Sequence, residues 1–271
     1  MSAPATILGV PVIHVLDFSD HQPPPYDFAA MKAAGIAGVI IKLTEGLSYL
    51  NPDFAQAWAG AAAAGLWRAA YHFCHPELGS PLAEAAFYLA HLPPSETYDG
   101  MAADIEIGSG NQSAYALAFC MALEQLRGFG PLIYSDPAYI TASLQDARLA
   151  RYALWLAAQT LPPEMSPWPY VALWQYSWSA HVPGISGPVD ESELARDLDG
   201  LRSLGKPPGY GLIGQQCALK PTPSHTSPAL GTLLPGTSVR TISPSQRTDD
   251  IWRQILLPTT SGYVPARYIV N

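Results

Sequence analysis

Short apolar segments alternate with helical patterns along the first three-quarters of the chain, and this alternation limits the fold more than any other feature. Eight segments have the length and composition of buried strands: Val12–Asp17, Gly38–Leu43, Arg68–Phe73, Met101–Ile107, Pro131–Tyr134, Ala153–Ala157, Tyr170–Tyr176 and Ile185–Asp190. Five segments have helical periodicity: Asp27–Ala34, Asp53–Gly65, Ala83–His91, Ser113–Arg127 and Glu191–Leu204. Apolar strands separated by helices are typical of a parallel sheet covered on both faces. Eight strands in roughly two hundred residues, with short later connections, predict an α/β fold, an irregular (β/α) barrel of TIM-barrel type.

The composition changes after Leu204. Residues 205–212 are rich in proline and glycine, which interrupt helices and sheets, so they are predicted to form a linker. Residues 213–271 lack helical periodicity and contain short apolar runs between turn residues, at Ser238–Ile242, Trp252–Leu256 and Tyr263–Val264. This pattern predicts a small all-β barrel. We therefore expect a barrel domain over residues 1–204 and a second domain over residues 213–271.

The net charge of −8 is divided unevenly along the chain. Residues 1–204 carry 8 basic and 20 acidic side chains, whereas the remainder carries 6 basic and 2 acidic ones. The acidic part argues against nucleic acid as a partner, because phosphate backbones require clustered Lys and Arg. The basic part is suited to anionic polymers, but its charge alone favours the simpler interpretation of ordinary surface charge.

The three cysteines, Cys74, Cys120 and Cys217, lie far apart and form neither a disulfide framework nor a metal-binding spacing. Residues 1–12 lack a basic segment and contain two prolines, unlike a secretory signal. The longest alanine-rich stretch, Phe54–Trp67, is too short to span a membrane. We expect a reduced, monomeric protein with no metal, no cofactor and no membrane insertion.

The motif Asp104-Ile105-Glu106 lies at the end of a predicted strand. Residues i and i+2 of a strand share a face, so both carboxylates are expected to point into one cleft at the carboxyl end of the barrel. Two close carboxylates raise the proton affinity of one of them, which creates a general acid. Glycoside hydrolysis requires such an acid and a second carboxylate. A surface D-x-E motif also arises by chance, so the motif alone leaves both interpretations open.

Asp17 and Asp190 also end predicted strands. In a closed barrel they would converge with Asp104 and Glu106 on one acidic pocket. The alternative is a structural role in turns or helix caps, and Asp190 is suitably placed to cap the predicted helix Glu191–Leu204.

Six short motifs follow one another in order along residues 12–204: Asp17-Phe18-Ser19 with Gln22, Ile40-Ile41-Lys42-Leu43-Thr44-Glu45-Gly46, Tyr71-His72-Phe73, Asp104-Ile105-Glu106, Trp174-Gln175-Tyr176-Ser177, and Val189-Asp190. Together they resemble the motifs of glycoside hydrolase family 25, the Chalaropsis-type lysozymes. The sequence departs from the family pattern at Ser192, where Asn is usual, and at Asp20-His21, where an aromatic residue often follows the opening serine.

The resemblance implies an N-acetylmuramidase of phage-endolysin type, which hydrolyses the β-1,4 bond between N-acetylmuramic acid and N-acetylglucosamine in peptidoglycan. Glu106 would be the proton donor. Asp104 would orient the N-acetyl group or stabilise positive charge, and Asp17 and Asp190 would complete the pocket. Such an enzyme would be made in the host cytoplasm and would reach the wall after release, through a holin if the gene belongs to a phage.

Aromatic and basic side chains near the strand ends are candidates for binding sugar. Tyr71, Tyr134 and Trp174 are suited to stacking on apolar sugar faces, and Lys42 to donating a hydrogen bond. Core packing is the alternative for each of them, because Tyr and Trp are often largely buried.

The C-terminal region resembles a bacterial SH3-like wall-binding domain over about residues 213–271. The resemblance rests on Ser227–Leu233 followed by Gly236–Val239, and on Trp252, Gly262-Tyr263-Val264 and Arg267-Tyr268-Ile269. It implies that this region binds peptidoglycan.

Other functions compete with this interpretation. Asp99–Glu106 approaches the D-G-x-D-x-D-x-E motif of family 18 chitinases, with Ala102 in place of one acidic residue. A non-catalytic glycan-binding barrel is a second alternative. A metal site built from His72, Cys74, His75 and Glu77 is disfavoured because these residues straddle a strand end.

Overall fold

The structure is a computed structural model of the chain. It describes residues 6–7, 10–94, 99–127, 129–162, 164–168 and 171–194, and, further on, residues 210–213, 216–221, 226–235, 238–247, 250–257, 260–265 and 269–270. Residue contacts divide the chain into two units, Met1–Lys206 and Pro207–Asn271.

The first unit contains eleven strands among its described residues. They are β1 (Thr6–Ile7), β2 (Val10–Pro11), β3 (Ile13–Phe18), β4 (Ile36–Glu45), β5 (Tyr49–Leu50), β6 (Trp67–Phe73), β7 (Gly100–Asp104), β8 (Leu132–Ser135), β9 (Leu154–Ala157), β10 (Leu173–Ala180) and β11 (Val189–Leu194). The α-helices are α1 (Phe28–Ala33), α2 (Phe54–Ala63), α3 (Pro81–His91), α4 (Ser113–Arg127) and α5 (Pro137–Ser143). Short 3₁₀ helices occur at Pro76–Leu78 and Ala147–Arg151.

Eight strands close into a barrel in the order β3-β11-β10-β9-β8-β7-β6-β4, with β4 pairing back onto β3. The α/β barrel predicted from the sequence is therefore confirmed. Strand β5 adds a short antiparallel pairing to the end of β4. Helices α1 to α4 pack outside the sheet, and their apolar faces cover the outer side of the strands.

The last barrel strand runs in the opposite direction to the others, contrary to the fully parallel sheet expected from the sequence. Strand β11 pairs antiparallel with both β10 and β3. The segment that joins β10 to β11 is too short for a helical crossover, and Gly184 and Gly187 adopt positive φ angles of 99° and 78° in it. A short connection of this kind produces an antiparallel pair rather than a parallel one.

The predicted helix Glu191–Leu204 is wrong over its first four residues, which belong to β11, and residues 195–204 lie outside the described residues. Glutamates favour helix, but here pairing with two neighbouring strands overrides that local preference. Asp190 is consequently a strand residue and not a helix cap. The predicted strand Ile185–Asp190 is correct only over its last two residues.

Helix α5 was not predicted, although its start has a clear sequence signal. The side chain of Asp136 accepts hydrogen bonds from the backbone N–H groups of Ala138 and Tyr139, and Pro137 occupies the first helical turn. This arrangement is a typical helix N-terminus.

The second unit contains a five-stranded sheet and a two-stranded sheet among its described residues. Its strands are β12 (Tyr210–Ile213), β13 (Cys217–Leu219), β14 (Gly231–Leu233), β15 (Ser238–Arg247), β16 (Asp250–Leu257), β17 (Thr260–Pro265) and β18 (Ile269–Val270). The larger sheet has the order β17-β16-β15-β12-β18. The three apolar runs predicted as strands lie in β15, β16 and β17, and β12 begins at Tyr210, within the segment predicted as a linker.

None of the helices in the described ranges has the length and apolar content needed to cross a bilayer. Cys74, Cys120 and Cys217 are all buried free thiols.

Candidate active site

The barrel interior changes from apolar to polar toward the carboxyl ends of the parallel strands. Its apolar part contains one residue or more from each strand: Val15, Ile40, Ala69, Ala102, Leu132, Trp155, Leu173 and Leu194. Because side chains alternate along a strand, the residue two places further on faces the same interior. On six strands that residue is polar: Asp17, Lys42, Tyr71, Asp104, Tyr134 and Gln175. The alternation therefore gathers these six side chains at one end of the barrel.

Asp104 ends strand β7 and is only 7% exposed. Its Oδ1 atom is buried and has no hydrogen-bond partner among the described residues. Burial raises the pKa of Asp104 well above its usual value, and the charge of Glu106 raises it further, whereas Lys42 opposes the shift. An unpartnered carboxyl oxygen in this position is available to a ligand.

Glu106 follows two residues after Asp104 and is partly buried. Burial raises its pKa, and the charges of Asp136 and Asp190 add to the shift. A carboxyl group with a raised pKa retains its proton nearer neutral pH and is thereby suited to general acid catalysis.

Asp17 and Asp190 lie directly opposite each other on the antiparallel strands β3 and β11. Like charges in this cross-strand position repel, so each carboxyl group disfavours ionisation of the other. Burial and then Asp190 raise the pKa of Asp17 well above its usual value, and burial raises the pKa of Asp190 to about 6.

Gln175 joins this pair to Tyr134. Its Nε2 atom donates to both carboxyl oxygens of Asp17 at 3.0 Å and to Oδ2 of Asp190 at 3.4 Å. Its Oε1 atom accepts a hydrogen bond of 2.9 Å from the hydroxyl of Tyr134. Gln175 is 2% exposed, so the arrangement lies within the barrel.

The two tyrosines lie within the acidic end of the barrel. Burial raises the pKa of Tyr71 strongly, with further contributions from Asp104 and Asp17. The ring of Tyr134 packs edge-on against Trp155 at 4.6 Å between centroids. Burial also raises the pKa of Tyr134 strongly, so both hydroxyls remain protonated, and that of Tyr134 donates to Gln175.

Lys42 is 9% exposed, and its ammonium group lies 2.5 Å from Oε2 of Glu45. It also lies 5.0 Å from the centroid of the Phe73 ring. Oε1 of Glu45 is in turn 3.0 Å from Nε2 of His75. Glu45 and His75 were not identified from the sequence as residues of the sugar site, although Glu45 lies within one of its motifs and His75 follows another by two residues.

Trp174 lies on the opposite face of β10 from Gln175, because neighbouring strand residues alternate. Its indole N–H donates to the carbonyl of Ala158 at 2.7 Å, and its ring contacts Tyr176 at 5.8 Å between centroids. The structure thus brings Tyr71, Tyr134 and Lys42 together with the carboxylates and places Trp174 outside that group.

His72 faces away from the barrel interior and forms a buried pair with Glu84, with 3.1 Å between Nε2 and Oε2. Its Nδ1 atom lies 2.8 Å from the hydroxyl of Thr44. Within the described ranges no three His, Cys, Asp or Glu side chains converge in a way that could hold a metal ion. The polar atoms of His72 are instead used in packing helix α3 against the sheet.

A cavity of about 600 Å³ opens at the other end of the barrel, where the parallel strands begin. Ile13, Ile36 and Trp67 line it together with Arg68 and Asp99, and none of the four candidate catalytic carboxylates does. The four candidate catalytic carboxyl groups therefore lie away from this cavity, toward the carboxyl ends of the strands, where barrels of this type usually carry their active sites.

A barrel with a partly buried carboxyl group of raised pKa and three further carboxyl groups at its carboxyl end carries the groups that glycoside hydrolysis requires. The sequence pattern of Glycosyl hydrolases family 25 matches residues 16–185, and the chain belongs to this family. The matched region contains Asp17, Asp104 and Glu106, whereas Asp190 lies beyond it.

The chain is similar to N,O-diacetylmuramidase of Chalaropsis sp., with 30% identity over 205 residues, which covers 64% of this chain and 94% of that protein. It is 28% identical over 212 residues to Lysozyme M1 of Streptomyces globisporus, over 70% of this chain and 69% of that one. The structure of a muramidase from Acremonium alcalophilum matches with a TM-score of 0.64 and 27% identity, over 71% of this chain and 98% of that chain.

Proposed function

We propose that this chain hydrolyses the β-1,4 bond between N-acetylmuramic acid and N-acetylglucosamine in peptidoglycan. The observation that carries the proposal is the position of Glu106, a carboxyl group with a raised pKa that adjoins the buried Asp104 and the Asp17–Asp190 pair. The similar proteins named as lysozyme and muramidase support muramic acid glycans as the substrate.

In this reaction Glu106 donates its proton to the glycosidic oxygen as the bond between that oxygen and the sugar C1 breaks. The bonding electron pair leaves with the oxygen, and positive charge develops on the sugar ring. Asp104 lies two residues away and places negative charge, or an acceptor for the N-acetyl group, beside that ring. Water supplies the new hydroxyl at C1 and gives its second proton to a carboxylate, which restores the initial state.

Tyr71 and Tyr134 are proposed to contact the sugar from strands β6 and β8, which lie on either side of β7. Lys42 is proposed to lower the pKa of Asp104 and Glu106 through its positive charge and so to limit how far these two groups are protonated. Trp174 is proposed to contact substrate at a distance from the carboxylates. Its side chain lies on the opposite face of β10 from Gln175, which is inside the barrel.

We propose further that the C-terminal unit is an SH3-like module that binds the cell wall. Its antiparallel strands and the sequence motifs at Gly262–Val264 support this role. Pelleting with purified walls tests it: full-length chain is expected to sediment with the walls, whereas a chain ending at Lys206 is expected to remain in solution and still cleave soluble glycan. Equal sedimentation of both chains would contradict the proposal.

A role as an endolysin is a related proposal. The order of a muramidase barrel followed by a wall-binding module supports it. In that role the protein acts as a monomer on the wall after release from the host cytoplasm. Lysis that requires co-expression of a holin would support it, and lysis without one would count against it.

Product analysis tests the catalytic proposal. Purified peptidoglycan treated with the protein is expected to give new muramic acid reducing ends, identified by mass spectrometry after borohydride reduction. New N-acetylglucosamine reducing ends would contradict the proposed bond specificity. Cleavage of chitin oligomers in preference to peptidoglycan would favour the chitinase alternative, and wall binding without any new ends would favour the non-catalytic one.

A further inference from the structure

The amide of Gln175 is held on both sides, by Asp17 and Asp190 at Nε2 and by Tyr134 at Oε1. The Nε2 side of the amide faces Asp17 and Asp190 and donates to both of them, as an ionised carboxyl group requires, since it only accepts hydrogen bonds. The Oε1 side faces Tyr134, whose hydroxyl donates to it at 2.9 Å. Tyr134 therefore fixes the direction of the amide, and the amide fixes the two carboxyl groups.

The two carboxyl groups need such an arrangement because they lie opposite each other in register on β3 and β11. Nε2 of Gln175 is 3.0 Å from each oxygen of Asp17 and 3.4 Å from Asp190, so one side chain contacts both members of the pair. Asp17 is 7% exposed and Gln175 is 2% exposed, which leaves little water to replace the amide as a donor.

We propose that Gln175 is a positioning residue that holds Asp17 and Asp190 as a pair with a single negative charge, and that Tyr134 sets the direction of its amide. This inference rests on the proposed function, since the negative charge of the pair is proposed to stabilise the sugar cation that forms in the cleft. A pair with two negative charges would be destabilised by their mutual repulsion. A pair with no negative charge would leave the sugar cation without a stabilising partner.

The pair is surrounded by other ionisable groups that shape its titration. They are Asp104 and Glu106 from β7 and its end, Lys42 from β4, Tyr71 from β6 and Tyr134 from β8. The two carboxyl groups interact directly, so their titration belongs to the pair and proceeds in two coupled steps.

The substitution Gln175→Glu tests the proposal because it keeps the shape of the side chain while replacing the N–H donors by a third carboxyl group. We expect kcat near pH 7 to fall about hundredfold, with a smaller change in KM. Part of the loss should be recovered at lower pH, because the introduced carboxyl group can donate once it is protonated. A purely structural effect would lower activity equally at all pH values and would overturn the proposal.

Tyr134→Phe removes only the hydroxyl that orients the amide. We expect a loss of about tenfold in kcat, comparable to the loss of one hydrogen bond to a buried polar group. Gln145→Glu is the matched control, because the side chain of Gln145 donates to the carbonyls of Ile140 and Ser166 and not to a carboxyl group of the site. Its pH profile is expected to equal that of the wild type.

A second readout does not depend on activity. Selective ¹³C labelling of aspartate carboxyl groups allows the pair to be titrated by NMR in the wild type and in both site variants. The upper step of the pair is expected to move to higher pH in Gln175→Glu and, by less, in Tyr134→Phe. Unchanged titration in a folded Gln175→Glu protein would overturn the proposal. Absence of muramidase activity in the wild type would instead refute the proposed function and leave the titration test intact.

Discussion

Lys42 and Glu45 form an ion pair at the edge of the acidic cleft, with 2.5 Å between Nζ and Oε2. Lys42 also lowers the pKa of both Asp104 and Glu106, in opposition to the burial that raises them. Lys42 thus limits how far the pKa of Glu106, the proposed general acid, rises.

Replacing Lys42 by Met should move the alkaline limb of the pH–rate profile upward. The positive charge of Lys42 favours ionised carboxylates, so its removal raises the pKa of Glu106 and keeps the acid protonated to higher pH. We expect kcat/KM at the optimum to fall about tenfold, the value of one charge-assisted hydrogen bond. The measurement is kcat/KM on soluble glycan as a function of pH.

Lys32→Met is the control for this experiment, because Lys32 is exposed and donates to the carbonyl of Ala64. Its profile should match that of the wild type. An alkaline limb that stays fixed or moves downward in Lys42→Met would show that Lys42 does not control the acid.

Replacing Glu84 by Ala should destabilise the barrel without altering the chemistry. Glu84 is fully buried, lies 3.1 Å from Nε2 of His72, and accepts a hydrogen bond from the backbone N–H of His75. Removal of one partner of a buried pair leaves the other without compensation, which costs about 3 kcal/mol in the free energy of unfolding. Urea unfolding monitored by circular dichroism measures this change.

The contrasting substitution is Glu124→Ala, which removes a more exposed ion pair with Arg151. It should lower the free energy of unfolding by less than about 1 kcal/mol. Equal losses from the two substitutions would mean that the buried His72–Glu84 pair contributes no more to the free energy of unfolding than the more exposed pair.

Gly184 is expected to be essential for the reversed strand β11. Its φ angle is +99°, and an added Cβ would lie 2.1 Å from the carbonyl oxygen of Asp27. Gly184→Ala combines an unfavourable backbone conformation with a collision against backbone, and we expect a loss of about 3 kcal/mol in stability. Thermal unfolding measures it.

Gly187→Ala separates the two contributions. Gly187 also has a positive φ angle of +78°, but a Cβ added there would meet nothing within 4 Å among the described residues. This substitution should cost about 1 kcal/mol, from the backbone conformation alone. A larger loss at Gly187 than at Gly184 would contradict the contact with Asp27.

The barrel was predictable because period-two alternation and apolar runs are local properties of a sequence. The same alternation places Asp17, Lys42, Tyr71, Asp104 and Tyr134 on one face, so their convergence at one end of the barrel could be expected from their strand positions. The direction of β11 was not predictable in this way, because residues 191–194 have local helix preference and their strand pairing depends on distant residues.

The role of Gln175 could not be derived from the motif that contains it. A glutamine between two aromatic residues gives no local sign that its amide bridges Asp17 and Asp190, which lie 158 and 15 residues away in sequence. Trp174 of the same motif remains a predicted sugar contact, but its side chain lies apart from the carboxylates. Trp174 and Gln175 are neighbours along β10, so their side chains lie on opposite faces of the strand.

The most direct measurement is the digestion of purified peptidoglycan by the wild type and by Glu106→Gln, with Glu193→Gln as a control on the outer face of β11. We predict new muramic acid reducing ends from the wild type and the control, and a loss of about a thousandfold or more with Glu106→Gln, which retains the shape but cannot donate a carboxyl proton. Wild-type rates from Glu106→Gln would contradict the assignment of Glu106 as the proton donor.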